Sequence, residues 1–181
     1  AFASNWEPFP YIETGPEVIE APSPEGLEFY TKYTTTSGVI IVAGPDVPDE
    51  AILAGRRSLE YQLSARPDFH EILKDNLVRV SLFGPDGDSS VLPEYKDHGE
   101  IGGFAMMSTD VSMTANAGWF CYEGNRDDSG DPLIHEMAHT LNHIVFESIN
   151  EIYFYENIYK LAEESIENGD WEEGAQAIAE G

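Results

Sequence analysis

The chain contains very few basic residues. Its 181 residues include nine lysines and arginines against 34 aspartates and glutamates, and the resulting net charge is −25 at pH 7. Nucleic acids and anionic membrane surfaces repel a molecule of this charge, so we expect neither as a partner. The acidic excess favours solubility, cations or a salty medium, although a run of acidic residues is most often a solvated surface.

Long apolar runs and paired cysteines are also missing from the sequence. The longest apolar stretch, Val39–Ala43, has the length of a strand, whereas a membrane-spanning helix needs about 20 apolar residues. We therefore expect no membrane insertion. The single cysteine, Cys121, cannot form an intrachain disulfide. No charged and apolar leader follows Ala1, so we expect that any signal peptide has been removed, which is compatible with secretion.

Residues 1–26 differ from the rest of the chain, because they contain five prolines and no regular apolar period. This composition predicts an extended arm, followed by one folded domain over residues 27–181. The arm nevertheless carries six large apolar side chains, which are Phe2, Trp6, Phe9, Tyr11, Val18 and Ile19. We expect them to dock on the arm's own domain or on a neighbour, and docking on a neighbour would give a homo-oligomer or a filament.

Strands and helices follow one another in the order typical of an α+β domain. Four segments read as strands, "GVIIVAG", "LVRVSLFG", "IGGFAMMS" and "GWFCYEG". A helix capped by Asp49 is predicted to run to about Ala65, with its inner face formed by Ile52, Leu59 and Leu63. A last helix over about residues 150–168 should end at Gly169 and bury Ile158, Leu161, Ala162 and Ile166.

Between these lies "DPLIHEMAHTLNHIVFE", in which Asp131-Pro132 opens a helix that carries three histidines. His135, Glu136 and His139 form the pattern H-E-x-x-H, and four residues on a helix bring both imidazoles to one side. Zinc suits such nitrogen ligands, and Glu136 can act as the general base toward a zinc-bound water. The pattern predicts a catalytic zinc site, although about one or two shuffled chains in a hundred would also contain it.

Two ligands do not complete a zinc site, so a third must come from elsewhere. His143 shares the helix face, but it lies about 12 Å along a straight helix from His135, too far to bind the same ion. We therefore expect His143 beside the site rather than in it, and a carboxylate from a later helix as the third ligand. The candidates are Glu156, Glu163, Glu164, Glu167 and Glu180, of which Glu163 lies near the apolar edge of its helix.

The stretch "PLIHEMAHTLNH" resembles the active-site helix of zincin metallopeptidases. The surrounding segments "GVIIVAGPDVPDEAIL", "ARPDFHEIL", "VRVSLFG", "CYEGNR" and "NGDW" extend the resemblance to a group of secreted zincin-like proteins with a lethal-factor-like, gluzincin type of site. The resemblance implies a small twisted sheet, a backing helix and an active-site helix below an edge strand that binds peptide. It assigns His135 and His139 to zinc and Glu136 to the role of base.

In that type of site the third ligand is a glutamate on a later helix, followed by Ala-Glu. The matching tail here is "GAQAIAEG", where Gln176 stands at the expected glutamate and only Glu180 of the Ala-Glu remains. Two functions from different classes follow. The first is a secreted, zinc-dependent metallopeptidase that hydrolyses peptide or protein substrates through zinc-bound water. The second is an extracellular structural or self-assembling protein on a zincin scaffold with an incomplete site.

Overall fold

The computed structural model describes residues 7–95, 103–106, 112–125, 131–149 and 153–169. In these ranges the chain forms a mixed α+β structure with one six-stranded sheet and four α-helices. The predicted α+β class is therefore confirmed. None of the helices in these ranges combines the length and the apolar character that crossing a bilayer requires.

The sheet has three parallel strands at its centre and antiparallel strands around them. Its strands are β1 (Ile19–Glu20), β2 (Lys32–Thr36), β3 (Val39–Ala43), β4 (Arg79–Phe83), β5 (Gly103–Met106) and β6 (Ser112–Asn116). They lie in the order β1-β2-β3-β4-β6-β5, in which β3, β4 and β6 are mutually parallel. The two-residue β1 is one edge, and β5, antiparallel to β6, is the other.

The helices are α1 (Asp49–Leu63), α2 (Phe69–Asp75), α3 (Pro132–Thr140) and α4 (Tyr153–Glu167). α1 contacts β2 and β3, α3 contacts β5 and β6, and the two helices contact each other. The Thr36 hydroxyl of β2 donates to Glu60 of α1 at 3.1 Å, which identifies the sheet face that α1 covers. We call this the helix face. Val39 and Ile41 share it by the alternation of side chains along paired strands.

The opposite face is covered by the N-terminal arm and by the segment that follows β4, and we call it the arm face. Its buried core consists of Phe9, Ala21, Leu27, Tyr30, Tyr33, Ile40, Val42, Phe83 and Leu92. Phe9 is only 1% exposed, so the expectation that the arm docks is met on its own chain for the described residues. Phe2 and Trp6 of the predicted arm lie outside them.

Side chains of β2 hold residues 10–14 of the arm, and a short backbone ladder holds its β1. The Tyr33 hydroxyl donates to the Pro10 carbonyl at 2.8 Å and accepts from the Ile12 N–H at 2.9 Å. The Thr35 hydroxyl donates to the Ile12 carbonyl at 2.8 Å and accepts from the Thr14 N–H at 2.9 Å. Since proline has no N–H to contribute to a ladder, this mode of attachment suits a proline-rich segment.

A buried ion pair lies under the arm. Arg79 of β4 binds Glu94 at 2.6 Å, and their side chains are 6% and 1% exposed. The Ser81 hydroxyl donates to the same carboxylate oxygen at 3.3 Å, and the Arg79 guanidinium lies 5.8 Å from the centroid of the Phe9 ring. The arm thus shields two opposite charges from water.

Contacts divide the chain into a larger unit, Ala1–Val145, and a smaller one, Phe146–Gly181. Residues 7–26 pack within the larger unit through Phe9 and Ala21. In the smaller unit α4 is followed by Gly169, whose φ of 75° fits the predicted helix end. The predicted boundary between residues 26 and 27 stays a prediction.

Three local predictions are wrong. Asp49 does not cap α1, because the N-cap is Pro48 and Asp49 is the first helical residue, paired with Lys32 at 2.8 Å. "GWFCYEG" is not a strand but a 3₁₀ turn at Ala117–Trp119 followed by a single bridge. Burial of Ile158 and Leu161 on the inner face of the last helix is the third wrong prediction, since they are 42% and 62% exposed, whereas Ala162 and Ile166 of that face are half-buried.

Candidate metal site

The histidine helix α3 begins at a well-defined cap. The Asp131 carboxylate accepts a hydrogen bond from the Leu133 N–H at 2.9 Å, and Pro132 occupies the first turn, where its missing N–H costs nothing. The Ser58 hydroxyl of α1 donates to the same carboxylate. One aspartate therefore both starts α3 and attaches its first turn to α1.

One side of α3 is packed into the protein. Leu133 and Met137 are fully buried and Thr140 nearly so, and α3 contacts β5 and β6 on this side. Leu133 also lies against Gly55 of α1, where a Cβ built on the glycine would be 3.5 Å from the leucine. Because this face is fixed, the flank that carries the histidines turns toward solvent, with His135 exposed and His139 half-buried.

The two motif histidines point their outer nitrogens at each other. The Nε2 atoms of His135 and His139 are 3.0 Å apart, and their ring centroids are 4.7 Å apart. Two nitrogens bound to one zinc at ~2.0–2.1 Å with tetrahedral angles would be separated by about 3.3–3.4 Å. The observed separation differs from that by a few tenths of an ångström, so the pair fits two ligands of one ion.

The same distance is that of an ordinary hydrogen bond, and the two arrangements differ in where the protons lie. In a hydrogen-bonded pair of neutral rings, one Nε2 carries a proton and the other accepts it. A metal needs the lone pair of both Nε2 atoms, so both rings would then carry their proton on Nδ1. Binding at this pair therefore requires one ring to change tautomer.

Glu136, between the histidines in sequence, is turned into the protein. Its residue is 6% exposed, and burial raises the pKa of its carboxyl, an effect that the nearby His135 charge partly opposes. A carboxylate with a raised pKa holds a proton more readily near neutral pH, as a general base must. The Glu136 backbone carbonyl accepts from the Thr140 hydroxyl at 3.2 Å, which helps to fix this turn.

The helix does not continue as a straight α-helix beyond the motif. It becomes a π-helix over Leu141–Phe146, in which each carbonyl bonds five residues ahead instead of four. His143 lies in this segment and is exposed. The predicted distance of about 12 Å between His143 and His135 assumed a straight α-helix, and the π-helix departs from that geometry. Single π turns are rare, and many occur at functional sites.

The third ligand stays a prediction. Within the ranges that the structure describes, no set of three histidine, cysteine, aspartate or glutamate side chains comes together as a metal site. Glu163, Glu164 and Glu167 are exposed on α4, which belongs to the smaller unit, and the Glu156 side chain is not described. Glu180 and Gln176 lie outside the described residues.

Sequence reasoning missed a surface groove of about 390 Å³ at the start of α3. It is lined by residues of α1, of the 3₁₀ turn and of α3, including Tyr61, Trp119, Cys121 and Ile134. Three of these apolar side chains are exposed, Tyr61 by 84%, Ile134 by 60% and Trp119 by 39%. Since the segments are about 60 residues apart in sequence, no local pattern could have joined them.

The chain matches no protein-family model, no curated protein and no solved structure.

Proposed function

We propose that this protein is a secreted, zinc-dependent metallopeptidase of the zincin type. The observation that carries the proposal is the 3.0 Å separation of the His135 and His139 Nε2 atoms on the helix that also carries the buried Glu136. Two nitrogen ligands and a base of raised pKa are the parts that metal-assisted amide hydrolysis requires from one helix. His135 and His139 would hold the zinc, with Glu163 or Glu180 as candidates for the third ligand.

Each residue has a separate task in this proposal. When bound, zinc supplies a Lewis acid that polarises the substrate carbonyl and makes water more acidic. Glu136 accepts the proton of the attacking water at its carboxylate and returns it to the leaving nitrogen. Burial of Glu136 supports this cycle, because it raises the pKa of the carboxyl and so favours the uptake of a proton by the base.

The position of β5 supports a peptide as the substrate. β5 is antiparallel to its only strand neighbour in the described part of the chain, β6, and it contacts α3. An extended peptide could pair with the outer side of β5 and pass the histidine pair. The predicted strand "GWFCYEG" does not form, so β5 is the strand that we assign to this role.

The metal is tested first. We expect about one zinc per chain by elemental analysis of the zinc-replete protein, and a loss of most of it in His135→Ala. Glu163→Gln should lower zinc affinity if Glu163 is the third ligand, whereas Glu50→Gln, an exposed glutamate in the first turn of α1, should leave it unchanged. Absence of zinc from the wild type, with no response in His135→Ala, would exclude this function.

The base is tested next. Glu136→Gln keeps the size of the side chain and the metal ligands but cannot accept a proton. We expect cleavage of a peptide library to fall by roughly 10² to 10⁴, with zinc content unchanged. Glu123→Gln, an exposed glutamate in the turn before α3, is the matched control and should keep full activity. A zinc-loaded wild type that cleaves no peptide would favour the non-enzymatic scaffold instead.

A further inference from the structure

Two neighbouring parallel strands send the chain to opposite faces of the sheet. After β3 the chain enters α1, on the helix face. After β4 it enters two 3₁₀ turns, Ser89–Val91 and Pro93–Tyr95, whose Leu92 and Glu94 pack on the arm face. Where adjacent parallel strands diverge in this way, a crevice opens outside their carboxyl ends, and α/β proteins commonly bind ligands there.

The same tripeptide, Gly-Pro-Asp, follows both strands. The Gly44 carbonyl accepts from the Val47 N–H at 3.3 Å, and the Gly84 carbonyl accepts from the Gly87 N–H at 3.0 Å. Each loop is therefore a four-residue turn with proline second and aspartate third, a favourable arrangement because proline fixes the backbone of the second position. Asp46 and Asp86 thus occupy the same position of equivalent turns, and Asp46 lies beside the second turn, where a Cβ built on Gly84 would be 3.5 Å from the Asp46 Cβ.

Between the two turns lies a cleft of about 530 Å³, within the size range of small-molecule sites. Its apolar wall is formed by Phe29, Val47, Phe83 and Val91, and its rim carries Asp46 and Asp86. Gly44 is required beside the wall, since a Cβ there would lie 2.7 Å from the Phe29 ring. The Phe29 ring thus packs directly against Gly44, the residue that follows β3.

The charges of the cleft are of one sign. Among the described residues that line it, two are carboxylates and none is basic. The Lys32 ammonium lies beside this lining, where it donates to the Val47 carbonyl at 2.6 Å and pairs with Asp49 at 2.8 Å. The cleft therefore combines an apolar wall and an aromatic ring with two carboxylates at its mouth.

We propose that this cleft binds a small organic cation, a protonated amine on an apolar or aromatic body. The ammonium group lies at the rim between Asp46 and Asp86, and the apolar body packs on Phe29 and Val91. A bare divalent cation fits less well, because calcium takes six to eight oxygen ligands and magnesium an octahedron of them, whereas most of the lining is hydrocarbon. The site is separate from the histidine pair and does not depend on the proposed peptidase activity.

The test uses the full chain and 2-phenylethylammonium as the probe, titrated against ¹⁵N-labelled protein. We expect saturable shifts of the backbone amide signals of Gly44, Gly84 and Gly87. The neutral analogue 2-phenylethanol should bind at least about tenfold more weakly, because it cannot pair with the carboxylates. Equal binding of the two compounds would overturn the proposal, as would shifts elsewhere without shifts at these glycines.

Charge-matched variants separate the cleft from the general acidity of the protein. Asp46→Asn/Asp86→Asn should weaken probe binding about tenfold or more, because it removes both carboxylates at the rim. Asp75→Asn/Glu123→Gln removes the same number of exposed charges outside the cleft and should leave binding unchanged. Equal weakening of probe binding by both variants would show that binding depends only on the net charge of the protein, and would overturn the proposal. Calcium that shifts the same signals at lower concentration than the probe would identify an inorganic site and overturn the organic one.

Discussion

Truncation of Phe9 to alanine tests how much the N-terminal arm contributes to stability. Phe9 is 1% exposed and packs against Tyr30 in an edge-to-face arrangement at 5.8 Å and against Tyr33 at 6.3 Å. Removing a buried phenylalanine side chain typically costs about 3–5 kcal/mol of unfolding free energy. The two ring contacts account for about 0.5–1.5 kcal/mol each of such a cost.

We expect the arm to detach in this variant while β2 to β6 stay paired, which limits the cost. What then remains is the docking free energy of the arm, to which the hydrogen bonds at Tyr33 and Thr35 add about 1 kcal/mol each. We therefore expect a loss of about 3 kcal/mol, near the lower end of the range. For a domain of this size that corresponds to a fall in melting temperature of about 6–12 °C.

The assay is urea unfolding of the wild type and Phe9→Ala, together with hydrogen exchange of the Ile12 and Thr14 amides. Both amides should lose protection in the variant, because their acceptors are the β2 hydroxyls that the docked arm covers. Ile12→Ala is the control, since Ile12 is 42% exposed and should cost less than about 1 kcal/mol. A Phe9→Ala variant within 1 kcal/mol of the wild type, with both amides still protected, would refute the reasoning.

Two further predictions concern the same face of the sheet. Burial raises the pKa of Tyr33 from 10.0 in the unfolded chain to about 12 in the folded protein. The contribution of the neutral Tyr33 hydroxyl to stability is therefore complete below pH 10 and is lost as the pH rises toward 12. We expect the ionisation of Tyr33 to lower the free energy of unfolding by about 2 kcal/mol between pH 9 and pH 12, as measured by urea unfolding. The free energy of Tyr33→Phe should fall less over the same range. The same fall with pH in the wild type and the variant would contradict the prediction. Glu94→Ala should lower the free energy of unfolding by about 3–5 kcal/mol, because it leaves the Arg79 charge buried and unpaired. The double variant Arg79→Met/Glu94→Leu removes both charges and should change this free energy little. A double-mutant cycle that shows no coupling between the two residues would contradict the prediction.

The elements that the sequence predicted correctly are those with a strong local signal. β3 is a continuous run of β-branched residues, and α1 places Ile52, Leu59 and Leu63 at helical spacing, all buried. β2 was missed because "KYTTT" is largely polar. The dipeptide Ser37-Gly38 could have revealed it, since both residues have positive φ, 51° and 82°, and form the two-residue turn of the β2–β3 hairpin.

The errors arise where tertiary contacts decide the outcome. The period of the last helix predicted a buried face, yet Ile158 and Leu161 are exposed on α4. An amphipathic pattern says which face is apolar, but not whether a partner covers it.

At the candidate metal site, too, features set by local spacing could be predicted and features set by tertiary packing could not. The approach of His135 and His139 follows from their spacing of four on a helix. The burial of Glu136 does not follow from any local pattern, because it depends on how α3 packs on β5 and β6. The π segment after Thr140 likewise has no signal in the sequence that spacing rules would detect. The cleft at Asp46 and Asp86 is lined by segments from residue 29 to residue 91. These segments meet only because of the strand order, so the cleft could not be predicted without it.

Because residues 10–14 of the arm are attached through the hydroxyls of Tyr33 and Thr35, another segment could take their place. A segment held by a backbone ladder must keep the register of its strand, and one inserted or deleted residue turns every side chain to the wrong face. Here the sheet is complete without the arm's main chain beyond the two residues of β1. A replacement for residues 9–14 needs a carbonyl and an N–H for each of the two hydroxyls, an acceptor for the Thr35 N–H in place of the Thr14 hydroxyl, and one large ring for the pocket of Phe9. The arm can therefore diverge in sequence, or be redesigned, without any change to the strands beneath it.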